Sequence, residues 1–441
     1  MDRLIYLVSF ELVSSTIPNF WDELMLIIHL DYADSAYATL AVSAQELWRS
    51  EWGAGNRYHE TGLCFTAEAG QEAYVAKSLE NVRALLANEA MKKEVDVEKY
   101  THEAIEVLKS PEDILHTVRT GGANGTHGYL NRRSGWVDAD ATMRYLRQQV
   151  ESLSRIHFIS GTVKCLIFSP SRAQVQGAQL NDGQRLHADL TILAAGAWTP
   201  TLLDLRGILQ ATGQVLAYLE LSDTEAAQLS KTPTQLNMST GMTKHSGLFA
   251  IPPPHPSQQI LFPNKERRLY WKIARHCHGY SNYITIPHPE DPTAPSIIVS
   301  APHTNSATPT AAQQIPQEGV RACREYLESI LSQDSPLRTR PFAFTRICHY
   351  ADTSTGDWLI DYHPRYNKTL FLATGGSGHA FKFLPVIGDK VVECLLGRCP
   401  EEFREKWRWR EAVPYEEWPG DGSRGGKKGM ILEEELRGSA E

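Results

Sequence analysis

The chain has 441 residues, of which 42% are hydrophobic and 22% charged, a balance that excludes a disordered polymer, a collagen-like chain and a polytopic membrane protein and leaves room for two or three domains. Lys and Arg number 44 against 52 Asp and Glu, giving a formal charge of -8, so a general attraction to nucleic acid or anionic lipid is missing and a small-molecule partner is expected. The seven cysteines are scattered, with no CxxC pair at zinc-ligand spacing, so neither a disulfide framework nor a metal site is expected and a reducing compartment fits.

In chain order, the apolar run Leu4–Phe10 sits between Asp2 and Glu11 with no small-residue cleavage site behind it, which makes a poor signal peptide. Leu40, Ala44, Leu47 and Trp48 share one helical face within 35–52, and 72–93 has the same period, so both are expected to be amphipathic helices. Residues 119–135 are Gly-rich and polar and read as a loop. Asp138 or Asp140 can cap a helix over 140–153, and strands follow through 157–168 and 173–198, with Asn181-Asp182-Gly183 turning a hairpin. From about 209 to 301 proline-broken strands, among them the one before Pro252-Pro253-Pro254, suggest a second, sheet-rich domain. Residues 302–316 read as a loop and 317–333 as a helix. The Gly- and charge-rich stretch 411–441 reads as a mobile tail.

Two strand ends carry chemistry. Leu370–Thr374 runs into Gly375-Gly376-Ser377-Gly378-His379 ahead of a helical pattern, where backbone can approach a ligand closely and a helix N-terminus can stabilise negative charge. The apolar run that ends in Ala195-Gly196-Ala197-Trp198 presents a small residue where doubly wound sheets bind ligands. Taken singly, each is equally well an ordinary glycine turn.

Their order discriminates. The strings ADLTILAAGAW, LYWKIARHCHGYSN, TRICHYADTSTGDWLIDYHP, FLATGGSGHAFKFLPVIGDKVVECLLG and KWRWR, in that order, with LIIHLDYADSAYATLA from Leu26 onward ahead of them, resemble over roughly residues 26–410 the FAD-dependent family of monomeric sarcosine oxidase and the fructosyl amino acid oxidases (amadoriases). The resemblance implies an α/β fold of the glutathione-reductase-like type. Its FAD-binding domain would be discontinuous over 26–80, 136–210 and 335–410, with a mixed-sheet substrate domain over 81–135 and 211–334. It further implies FAD bonded covalently through Cys348, with Arg346 favouring the thiolate that this bond requires. Lys272 corresponds to the lysine that promotes reaction of reduced flavin with oxygen, His276 to an active-site histidine, and Lys382 to the lysine that holds the substrate carboxylate. Gly375, Gly376 and Gly378 would meet the flavin ring, Val163 the adenosine side and Gly196 the diphosphate region.

The departures from the family pattern are specific. Members open with a strand and a Gly-x-Gly-x-x-Gly turn for the FAD diphosphate, whereas residues 1–25 contain no glycine. Leu26 and His29 stand where the family has a basic residue and an arginine, so active-site charge is reduced, and Arg275-His276 stand where amadoriases have an acidic pair, so a sugar-amine substrate is not expected. The expectation is a cytoplasmic, monomeric FAD-dependent oxidase of a secondary amine on an amino-acid-like substrate. It would produce an imine and hydrogen peroxide from oxygen, with no nucleic-acid or membrane partner. The C-terminal Gly438-Ser439-Ala440-Glu441 lacks a peroxisomal tripeptide. The alternatives are a biosynthetic relative whose imine is trapped by another nucleophile, and an inactive remnant that binds no flavin.

Overall fold

The computed structural model describes residues 5–9, 25–87, 104–257, 269–303 and 315–438. The architecture is mixed α/β, as expected. Two principal sheets organise it.

The smaller sheet runs Ile5–Ser9, Leu190–Ala194, Leu370–Thr374 and Leu359–Tyr362, with the first three parallel and the last antiparallel. Leu190, Leu193, Leu370, Phe371 and Leu372 are buried, the near-continuous apolar reading of strands covered on both faces. Ile5 pairs with Leu190 and Ser9 with Ala194. A parallel strand thus occupies the edge position beside Leu190–Ala194, where the sequence comparison with the family expected no opening unit. The glycine turn expected after it is absent from the sequence, and residues 10–24 lie outside the described residues.

The larger sheet is built on one long strand, Leu209–Leu221, which pairs antiparallel with Leu269–Arg275 on one side and with Phe344–Thr353 on the other. It continues through Leu248–Ile251 and Thr234–Asn237 to Leu63–Ala67, His127–Asn131 and Ile105–Leu108. One face of its centre packs Val215, Ala217, Leu219, Trp271, Ile273 and Ile347 against the helix Gln317–Ile330, which contributes Cys323, Tyr326, Leu327 and Ile330. Alternation along the strands sends Leu216, Tyr218, Lys272, Ala274, Arg346 and Cys348 to the opposite face, because directly opposed residues share a side.

Most local expectations held. The helices are Ser35–Trp48, Ala73–Ala87 and Ala139–Ser152, the last capped by the Asp138 side chain accepting from Ala141 N. The Asn181-Asp182-Gly183 turn joins the antiparallel strands Val175–Leu180 and Arg185–His187, with Gly183 at φ 91°. Three expectations need correction. The stretch 119–135 contains the strand His127–Asn131, whose buried Tyr129 and Leu130 pair with Phe65 and Cys64; its turn-like composition hid a ladder formed with distant residues. The glycine turn after Leu370–Thr374 leads through a 3-10 turn at Phe381–Phe383 before the α-helix Leu384–Leu395 begins, so its glycines do not themselves start the helix. Finally, residues 411–438 are not a loose tail. Met430 pairs with Tyr280 in the large sheet, and Met430 and Leu432 are buried in its core.

Candidate active site

On the outward face of the large sheet gather chemistry-bearing side chains from four parts of the chain, which bound the candidate site. Cys348 pairs with Gln214 and Lys272 with Tyr218 across the shared central strand. Both side chains stand on the same face, packed with Leu216, Tyr218 and Ala274 in the case of Cys348. Lys272 is 2% exposed, and its Nζ donates to the Met25 carbonyl at 2.7 Å. Burial draws its pKa down to about 8, opposed by the charge interaction with Cys348. Arg346, on the same face, is also lowered by burial and also interacts with Cys348. One buried and one half-buried cation therefore accompany this thiol.

Four residues beyond Lys272, His276 places Nδ1 3.4 Å from Tyr350 Oη and Nε2 3.4 Å from Ser423 Oγ. Burial, then the charges of Arg424 and Lys382, hold it well below the usual imidazole range, so it is neutral. Arg275 behaves otherwise. Its position on the strand turns it to the opposite face, where it donates to Glu318 Oε1 at 2.5 Å. It is thus no part of the site, and of the two residues that stand in place of the amadoriase acidic pair only His276 faces it.

Lys382 reaches the site from the glycine turn. Its Nζ is 2.6 Å from His29 Nε2 and 3.0 Å from Tyr32 Oη. His29 stacks on Tyr32 with ring centroids 5.4 Å apart. Beneath them Asp31 is fully buried and accepts from Tyr129 Oη at 2.9 Å, Asn131 Nδ2 at 2.9 Å and Ser134 Oγ at 3.0 Å. His379 contacts Tyr32 Oη through Nδ1 at 3.1 Å and the Gly356 carbonyl through Nε2 at 3.0 Å.

The segment 421–425 covers this assembly. Arg424 donates to Asp352 Oδ1, the Ser377 carbonyl and the Cys277 carbonyl at 2.8, 2.8 and 2.9 Å, and its guanidinium lies 4.8 Å from the centroid of the Tyr350 ring. Ser423 closes over His276. These contacts were missed from the sequence because a Gly-rich, charged run carries no periodic signal. Tyr32 and Asp31 were within reach, lying in the LDYAD string that carried part of the resemblance.

The glycines divide by what surrounds them. A Cβ on Gly375 would come within 2.6 Å of Thr353 Cγ2, and one on Gly378 within 2.5 Å of the Tyr350 ring, both at positive φ. These two let the turn press on the sheet. Gly196, at φ 53°, has nothing within 4 Å of a Cβ, and Gly376 meets only Ala380 at 3.0 Å. Both lie beyond the carboxyl ends of adjacent parallel strands, the end at which such sheets bind ligands, and of the two only Gly196 is open. Val163 begins a strand packed in the cluster of Leu193, Ala195 and Leu202 behind Gly196. The open backbone at Gly196, together with the sheet face that carries Lys272, Arg346 and Cys348, fits a flavin dinucleotide.

A profile of the FAD dependent oxidoreductase family matches residues 21–394. The amino acid oxidase imqH of Aspergillus flavus is 31% identical over 397 residues, covering 84% of this chain and 80% of that protein, and the amino acid oxidase fsqB of Aspergillus fumigatus is 29% identical with the same coverages. L-saccharopine oxidase of Schizosaccharomyces pombe is 26% identical over 87% of this chain and 82% of its own length. Among solved structures, a thermally stable mutant of fructosyl peptide oxidase superposes with a TM-score of 0.73 at 23% identity, covering 93% of this chain and 87% of the other. The fructosamine oxidase Amadoriase II of Aspergillus fumigatus gives 0.68 at 25% identity, covering 92% and 84%.

Proposed function

The chain belongs to the FAD dependent oxidoreductase family, and from that premise we propose that it oxidises the C–N bond of a secondary amine on an amino-acid-like substrate to an imine, with oxygen as acceptor and hydrogen peroxide as product. FAD held there would supply the redox chemistry, hydride acceptance from the carbon beside nitrogen and electron delivery to oxygen, and the protein's residues would bind and orient the reactants. The observation that carries the reading is the shared sheet face: Lys272, Arg346 and Cys348 stand together on it, facing the glycine turn that delivers Lys382.

In this reading Cys348 holds the cofactor covalently through its sulfur, with Lys272 and Arg346 beside it on the same sheet face. Lys272 places a fixed cation where negative charge develops on oxygen. Lys382 binds the substrate carboxylate, and the aromatic wall of Tyr32, His379 and Trp358 keeps water from that end. Neutral His276 lies beside Tyr350 to orient the substrate.

The test is direct. The purified protein is denatured in acid, and yellow colour retained in the pellet reports a covalent flavin. Peroxide release is then measured with sarcosine, pipecolate, saccharopine and fructosyl-lysine. Protein that is colourless and takes up no FAD on reconstitution overturns the reading. Yellow protein that releases no peroxide with any of the four leaves the family assignment intact and overturns the oxidase assignment for these amines.

A further inference from the structure

We propose that Lys382, held as a free amine by His29, is the base that takes the ammonium proton of the amino-acid substrate as its carboxylate docks; the role rests on the amino-acid reading above. Hydrogen-bond direction is set along six groups, from the Asp31 backbone N–H to the Gly356 carbonyl. At one end, the backbone N–H of Asp31 donates to His29 Nδ1 at 3.1 Å. With Nδ1 engaged as an acceptor, a neutral His29 carries its proton on Nε2. That Nε2–H points at Lys382 Nζ, 2.6 Å away.

At the other end, the Gly356 carbonyl can only accept, so His379 donates to it from Nε2 and leaves Nδ1 as an acceptor. Tyr32 Oη therefore donates to His379 Nδ1 and accepts from Lys382 Nζ at 3.0 Å. The polarity is fixed by backbone groups at both ends. It leaves Lys382 giving one N–H to Tyr32 and accepting one from His29. An ammonium has no lone pair and cannot accept, so the network closes only around the amine.

The surrounding charges agree. Asp31 and Asp421 are the acids that act on Lys382, and Asp31 gives its oxygens to Tyr129, Asn131 and Ser134, with Oδ2 3.7 Å from His29 Nδ1. The remaining titratable neighbours, His379, His276 and Arg424, are neutral or cationic. Burial brings Lys382 down to about 7, His379 to about 4, and His29 well below the usual imidazole range.

An amino acid at neutral pH arrives with an ammonium group, and hydride leaves its carbon only when the nitrogen lone pair is free. On docking, one substrate N–H bond breaks and one N–H bond forms on Lys382 Nζ. No electrons change hands and no proton is exchanged with water. The new ammonium loses its place opposite His29 Nε2–H and pairs with the substrate carboxylate. Lys382 thus acts on the reacting nitrogen, while His29 is a positioning residue.

The experiment uses flavin-loaded protein labelled with lysine carrying carbon-13 at Cε, read by NMR without turnover. The signal missing from Lys382→Met, or from Lys382→Arg if the first variant does not fold, is expected to titrate between pH 6 and 8. His29→Gln, whose amide oxygen can accept from an ammonium, moves that midpoint up by a unit or more, and saturating acetate does the same in the unaltered protein. A signal that stays in the ammonium form up to pH 9 overturns the proposal. An unmoved midpoint in His29→Gln overturns the positioning role, and one unmoved by acetate overturns the pairing with carboxylate. Because no oxidation is measured, failure of the oxidase reading leaves this result distinct.

Discussion

Arg424 and Asp352 form a buried ion pair, with the guanidinium donating to Oδ1 at 2.8 Å and side chains 11% and 13% exposed. The pair ties a late segment of the chain to the strand that carries Cys348. Burial raises the Asp352 carboxyl while the charge of Arg424 lowers it. Removing either partner leaves an uncompensated charge, a change that costs about 3–5 kcal/mol. Arg424→Ala is therefore expected to lower the free energy of unfolding in denaturant by that amount. A loss under about 1 kcal/mol would show that the pair contributes little.

Cys348→Ala deletes a sulfur from a face already packed with Leu216, Tyr218 and Ala274, so the fold is expected to survive. The colour of the acid pellet should disappear, with flavin recovered in the supernatant or not bound at all. Retention of the full pellet absorbance would place the covalent bond elsewhere.

Lys272→Met keeps the length and apolar stem of the side chain but removes the buried cation above the sheet. Loss of one preorganised electrostatic stabiliser costs about 100- to 1,000-fold in rate. That loss should fall on reoxidation of reduced protein by oxygen, followed by stopped-flow absorbance, and much less on anaerobic reduction by substrate. Equal slowing of both halves would contradict the assigned role.

His59 stacks on Trp136 with centroids 3.9 Å apart, and burial lowers its pKa to about 4. The unfolded chain binds this proton first as pH falls below about 6.5. The contribution of neutral His59 is thus complete above that pH and is lost progressively down to about 4. His59→Gln should flatten the acid limb of the stability curve by up to about 3 kcal/mol between pH 6.5 and 4. Parallel curves for the two proteins would refute this.

Gly378→Ala and Gly196→Ala separate close packing from backbone conformation. Both positions have positive φ, at 69° and 53°, which costs a substituted residue about 1 kcal/mol. Only Gly378 adds a collision with the Tyr350 ring. Thermal denaturation should show the Gly378 variant clearly less stable than the Gly196 variant, and equal melting temperatures would remove the packing explanation.

What the sequence made legible were features encoded in neighbouring residues. The helical face of Leu40, Ala44 and Trp48, the Asn-Asp-Gly hairpin and the strand-then-glycine endings at Gly196 and Gly375 each declare themselves locally. The turning away of Arg275 was also readable, since Trp271, Ile273 and Arg275 alternate with Lys272, Ala274 and His276. What remained hidden depends on distant partners. His127–Asn131 is a strand because Leu63–Ala67 offers it a ladder. Arg424 belongs to the site because Asp352, Ser377 and Cys277 receive it.

The covering segment also sets an order of events. Domains fold broadly in the direction of synthesis, and residues 421–430 are translated after every other part of the site. A nascent chain can form both sheets, save the edge strand that holds Met430, while its cleft still stands open, so cofactor entry has a natural window before Ser423 and Arg424 dock. A protease cutting just ahead of Asp421 would reopen that window in the finished protein.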